Sequence, residues 1–219
     1  MKNYTHISVV LDKSGSMSSC VNDTIGGFNQ FLKTQGELEG KATITLAQFN
    51  DHYDLVMDMK PLSGAENLDS YSYVPAGNTA LLDAIGRTIN SVEGKIEDMA
   101  KKSRPEKVIF VIITDGEENS SREFNRDQIM EMINSHKEKN KWEFVFIGAN
   151  QDSIQAGSKI GVRSTSTLNY TQDTKGITTM YCSLSKGMSD YRTRSLSESE
   201  NAAFFSPDNN FFADKDAKK

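Results

Sequence analysis

With two cysteines, four prolines and no apolar run longer than six residues, the 219-residue chain excludes several classes at once. Cys20 and Cys182 are far apart, without CxxC spacing or histidine companions, so neither a zinc site nor a disulfide framework is indicated. They read as two reduced cysteines on helix faces. The longest apolar stretch, Val108 to Ile113, falls far short of the ~20 residues that span a bilayer. The N-terminus leads into a strand-like run, Ile7 to Leu11, and not into the longer apolar core of a signal peptide, so the cytoplasm is the expected compartment. A surplus of one charge sign is missing too. Twenty-five bases against 30 acids give a net charge of −5, which offers no field for phosphate backbones. Neither nucleic acid nor membrane is an expected partner.

Catalytic signatures are also absent. The stretch GELEGK, Gly36 to Lys41, is one residue too short for a phosphate-cradling loop and precedes a strand. His6, His52 and His136 are scattered, with no HExxH, and no GxSxG elbow occurs. Each histidine is expected to be structural or solvated.

What is present alternates strand and helix. Ile7 to Leu11 reads as a buried strand, and Val21, Ile25, Phe28 and Leu32 recur at the spacing of one helix face. Thr43 to Phe49 and Asp54 to Met59 read as strands joined by the tight turn Asn50-Asp51-His52, hence antiparallel. Leu81, Ile85, Ile89, Val92, Ile96 and Met99 step by three or four and predict a long amphipathic helix. Unbroken apolarity from Val108 to Ile113 predicts a strand buried on both faces at the centre of a parallel sheet. Asn125 and Gln128 have the spacing of a capping box opening a helix that runs through His136. A strand from Trp142 to Ile147, a short helix from Asp152 to Ile160, a weak strand from Val162 to Leu168 and a helix through Ile177 and Met188 follow. Residues 1–190 are thus expected to form one α/β domain. Residues 191–219 form a polar tail, expected to be disordered or else docked on its own domain through Phe204-Phe205 and Phe211-Phe212.

Two strand ends carry the chemistry. Asp12-Lys13-Ser14-Gly15-Ser16 follows the first strand directly, and Thr114-Asp115-Gly116 follows the most buried one. Open α/β sheets form their sites outside the carboxyl ends of strands, at the switch point, where two adjacent central strands would bring Asp12 and Asp115 together. Two such carboxylates repel unless a cation lies between them. Asp12, Ser14 and Ser16 alternate on one tight loop and can direct three oxygens at one centre, and hard cations prefer all-oxygen shells. Thr79, just ahead of the long helix, offers a fourth oxygen or else an N-cap.

The strings VVLDKSGSM (Val9 to Met17), GNTALLDAI (Gly77 to Ile85) and VIITDGEEN (Val111 to Asn119) resemble the von Willebrand factor type A domain and the three parts of its metal-ion-dependent adhesion site. The resemblance runs from about Thr5 to Met188 and is nearest to small stand-alone bacterial and phage members. It implies a Rossmann-like, mostly parallel six-stranded sheet with one antiparallel edge strand and helices on both faces. It also implies a complete metal site at Asp12, Ser14, Ser16, Thr79 and Asp115, holding Mg²⁺, or Mn²⁺ or Ca²⁺. By resemblance Ser14 and Ser16 bind the ion directly, Thr79 does so in the high-affinity arrangement, and Asp12 and Asp115 often act through water.

The expected function is a non-enzymatic binding module, in which the cation bridges to an Asp or Glu of a partner protein. A metal-dependent hydrolase or phosphatase with Asp12 as nucleophile is the alternative. Haloacid-dehalogenase-like enzymes need DxD there, and Ser14 holds the second position. A role as accessory subunit of an AAA+ ATPase rests on fold analogy alone.

Overall fold

The computed structural model describes residues 3–149, 152–194 and Phe212. Six strands form one sheet: β1 (Tyr4–Asp12), β2 (Lys41–Phe49), β3 (Tyr53–Pro61), β4 (Lys107–Thr114), β5 (Glu143–Ala149) and β6 (Thr167–Tyr170). Their order is β3-β2-β1-β4-β5-β6, with every neighbour parallel except the β2–β3 pair. The antiparallel edge strand and the helices on the two faces match the expected Rossmann-like architecture. Asn50 starts the β2–β3 turn, its side-chain Oδ1 accepting from the His52 N–H at 2.8 Å.

Five α-helices cover the sheet: α1 (Val21–Gly36), α2 (Leu81–Asp98), α3 (Arg126–Ser135), α4 (Ser153–Ser158) and α5 (Thr174–Thr193). Strand alternation decides which side chain meets which helix. On β4, Ile109, Val111 and Ile113 join the α1 and α5 side chains in one apolar cluster. Val108, Phe110 and Ile112 join those of α2 and α3 in the other. Burial on both faces follows for this strand, as its composition predicts. At α3 the capping box forms in full, Asn125 Oδ1 accepting from the Gln128 N–H while Gln128 Oε1 accepts from the Asn125 N–H.

Two expectations need correction. The strand expected over Val162 to Leu168 begins only at Thr167. Gly161 turns the chain at φ +85°, and Ser164–Ser166 form a single 3-10 turn before pairing with β5 becomes possible. The final helix, moreover, does not stop at residue 190. Tyr191 and Arg192 are buried, and the Lys107 Nζ donates to the carbonyls of Tyr191 at 2.7 Å, Arg192 at 3.2 Å and Arg194 at 2.5 Å. One buried cation thereby satisfies the carbonyls that a helix C-terminus leaves open. Phe212 packs half-buried against the α1–α5 cluster, whereas Phe204, Phe205 and Phe211 lie outside the described residues. Cys20 is buried in the 3-10 turn (Gly15–Cys20) ahead of α1, Cys182 is exposed on α5, and both are free. Among the described residues no helix is long and apolar enough to cross a membrane.

Candidate metal centre

The sheet order makes β1 and β4 neighbours whose chain connections leave in opposite directions, which opens a crevice beyond their carboxyl ends. Asp12 is the last residue of β1, and Asp115 follows the last residue of β4. Asp12 is fully buried. Its Oδ1 accepts from the Ser14 N–H at 2.6 Å and its Oδ2 accepts from the Thr114 hydroxyl at 2.6 Å. The first of these bonds closes the tight turn that brings Ser14 and Ser16 to the same side, with their Oγ atoms 3.2 Å apart. Ser16 Oγ donates in turn to Asp115 Oδ1 at 2.6 Å.

Thr79 comes from a separate loop, which two backbone hydrogen bonds lash to the first: the Gly15 N–H to Gly77 O at 3.0 Å and the Ala76 N–H to Lys13 O at 2.9 Å. Gly77 adopts φ +76°, and a Cβ there would meet Asp51 Oδ2 at 2.2 Å. That carboxylate instead receives the Asn78 N–H at 2.8 Å. Asn119 fixes Thr79 itself, its Oδ1 accepting from the Thr79 N–H at 2.9 Å and its own N–H donating to Thr79 O at 3.1 Å. The N-cap alternative fails for Thr79. The N-cap of α2 is Ala80, and the helix's open N–H groups go to Glu118 (from Leu82, 2.9 Å) and to Ser121 Oγ (from Asp83, 3.1 Å). A Cβ on Gly116 would lie 3.4 Å from Thr79 Oγ1 and 3.8 Å from Ser16 Oγ, so both hydroxyls reach one small volume beside that glycine. The structure thus gathers all five residues, Asp12, Ser14, Ser16, Thr79 and Asp115, from three loops.

The electrostatics of the cluster are unbalanced. Burial pushes the Asp12 carboxyl up to about 6, against the hydrogen bonds from Thr114 and Ser14, and the nearby Asp115 charge adds to the rise. Asp115 is raised as well, by burial, although Ser16 and Gln172 pull it down. Among the described residues no lysine or arginine pairs with either acid, since Lys13, the cation in the loop, turns to Asp54. The donors are two carboxylates and three hydroxyls, with no cluster of three or more His, Cys, Asp or Glu among the described residues. An all-oxygen set poor in charge suits a hard divalent cation, so the residues present fit the ion that the motif implies.

Three supporting residues escape sequence reasoning. Gln172, between β6 and α5, donates through Nε2 to Asp115 Oδ2 at 2.5 Å and to Ser16 O at 2.8 Å. Tyr73 donates its hydroxyl to Asp12 O at 2.7 Å. Glu118 accepts from three backbone N–H groups, those of Leu82, Ser120 and Ser121, and so locks the loop after β4 onto α2. Only Glu118 carried a local signal, its place beside the TDG string.

This fold and cluster define a Rossmann-like domain with an oxygen-rich crevice at the switch point. The family model for the von Willebrand factor type A domain matches residues 6–181, and the chain belongs to that family. Among solved structures, the von Willebrand domain of the type V pili tip protein Mfa5 from Porphyromonas gingivalis is similar. Its TM-score is 0.61 at 9% identity, over 89% of this chain and 98% of that one. The D319A mutant of the PilB minor pilin from Streptococcus sanguinis gives 0.59 at 11% identity, over 89% of this chain and 64% of that one. Proximal thread matrix protein 1 from the mussel byssus, in a form described as having a zinc-occupied MIDAS motif, gives 0.54 at 15%, over 85% and 46%. The chain therefore spans about half the length of the mussel protein. No curated protein matches the sequence. At 9–15% identity these neighbours show the fold alone.

Proposed function

We propose that the cluster is a complete metal-ion-dependent adhesion site, and that the chain is a binding module holding an acidic side chain of a protein partner through Mg²⁺, Mn²⁺ or Ca²⁺. The observation that carries this is the pair of buried, unneutralised acids within reach of three hydroxyls. Ser14, Ser16 and Thr79 would hold the ion. Asp12 spends both oxygens on Ser14 and Thr114, which supports a role for it one step back from the metal. When bound, the ion supplies a Lewis-acidic centre. With so little negative charge around it, that centre keeps its affinity for an outside carboxylate. The zinc-occupied motif of the mussel relative supports a divalent cation at this place. A hydrolase would need a nucleophile or base, and Asp12, fully buried with both oxygens engaged, is poorly placed for either. The free cysteines, one of them exposed, fit the reducing cytoplasm.

The test pairs stability with capture. Mg²⁺ or Mn²⁺ should stabilise the chain over EDTA, by about 1.4 kcal/mol for each tenfold excess above Kd, and so raise its melting temperature. Thr79→Ala should weaken partner capture more than it weakens metal binding. Metal-dependent phosphatase, nuclease or ATPase turnover that vanishes in Asp12→Asn would overturn the reading, because an amide can still offer an oxygen but cannot serve as nucleophile or base.

A further inference from the structure

Beside the metal loops lies a pocket of about 130 Å³ that the five-residue cluster does not use. Leu81 and Leu82 of α2, Phe146 of β5, and Ala156 and Ile160 in and just after α4 supply its apolar surface, charged and amide side chains line the rest, and Gly116 forms the wall it shares with the cluster. Gly116 also adjoins Thr79 Oγ1, a Cβ there lying 3.4 Å from it, so the pocket and the proposed ion position have this residue in common. Its volume is close to that of protein cavities that accept a benzene-sized group. Of its three acids, Glu118 is committed to three backbone N–H groups and Asp152 to the Gln155 N–H, while Glu117 is exposed and is offset on the same rim by Lys159 and Arg126. On the rim, Arg126 is exposed and forms no ion pair among the described residues.

We infer that this pocket receives a bulky apolar side chain, Leu, Ile, Met or Phe, placed within two residues of the acid that the partner brings to the metal. The occupant is an acidic peptide segment of a partner protein, with Arg126 positioned to meet a second negative charge. The inference rests on the metal-bridge reading above and adds what that reading leaves open, the sequence the site selects. Apolar burial supplies the selectivity: seating one such side chain is worth tenfold or more in affinity.

The probe is a synthetic library of nine-residue peptides with Asp, Glu, Asn or Gln at the centre and random flanks, panned on the immobilised full chain in Mg²⁺ and eluted with EDTA. The eluted pool should be enriched in Leu, Ile, Met or Phe within two positions of the acid. Changing that residue to Ala in the best peptide should weaken binding about tenfold or more. Ala156→Leu, which fills the pocket from α4, should bind the peptide and its Ala analogue alike while Mg²⁺ still raises its melting temperature. Acid enrichment without apolar enrichment would overturn the pocket and leave the metal bridge standing, as would undiminished discrimination by folded Ala156→Leu. Absence of any Mg²⁺-dependent acid enrichment would overturn both.

Discussion

Replacing Asp12 by Asn should make the metal-free protein more stable, although it removes a residue central to the site. Burial raises the folded-state carboxyl from an ordinary value of 3.8 to about 6. The folded chain therefore holds its proton more tightly than the unfolded one, and stability falls as pH rises through that window. Above it the full penalty applies, about 2 pH units or roughly 3 kcal/mol. Asn carries no such penalty and can keep both hydrogen bonds. Its Oδ1 can accept from the Ser14 N–H, and the Thr114 hydroxyl, which also lies 3.2 Å from Gly116 O, can rotate to donate there and accept from the amide. The amide bonds are weaker than those to a carboxylate, so the net gain should be about 1–3 kcal/mol, several degrees in melting temperature for a chain of this size. The assay is thermal and urea denaturation in EDTA at pH 7.5 and at pH 4.5. The variant should lead at pH 7.5, with the gap closing at pH 4.5 as wild-type Asp12 takes up its proton. Adding Mg²⁺ should then stabilise wild type more than the variant, which has lost a charge that the cation offsets. A variant less stable than wild type in EDTA at pH 7.5, or a gap that ignores pH, would refute the claim that Asp12 is a buried charge awaiting a counter-ion.

Two further substitutions probe the supports of the site and of the fold. Gln172→Ala removes the amide that binds Asp115 Oδ2 and Ser16 O. Mn²⁺ affinity measured by calorimetry should fall about tenfold, the usual scale for groups that orient metal-site residues, and an unchanged affinity would show that Ser16 alone sets Asp115. Lys107→Ala leaves the last carbonyls of α5 without their shared donor, so stability should drop by about 2–3 kcal/mol. Amide exchange should quicken first from Met188 to Thr193, and uniform exchange along α5 would speak against a local cap.

Where the sequence was legible, the physics was local. The run Val108 to Ile113 could only be a strand covered on both sides, and the three- and four-residue steps from Leu81 to Ile96 could only be one helix face. The loops after β1 and β4 were readable because ligand-type residues crowd directly behind strand ends. What stayed hidden depends on tertiary placement. Gln172 lies 57 positions from the Asp115 it bonds, and a lone glutamine after a four-residue edge strand has no pattern to betray it. Tyr73 is 61 positions from Asp12, within a loop that shows no periodicity. The tail was expected to begin at Tyr191 because Tyr191-Arg192-Thr193-Arg194 looks polar, whereas Tyr191 is buried and Arg192 folds back on Gln35 O.

The same contrast separates what binds from what positions. Thr114, Gln172, Tyr73, Asn119 and Glu118 each hold a loop or an acid of the cluster through uncharged donors or backbone N–H groups, and none adds a positive charge next to Asp12 or Asp115. A site made only for stability would have placed a lysine or arginine there, as the chain does at Asp54, Asp58 and Glu123. Supports without positive charge instead fix the geometry of the acids while leaving their charge uncompensated. The fold thus carries a standing electrostatic cost at one end of its central strands, and a divalent cation is the simplest group that removes it.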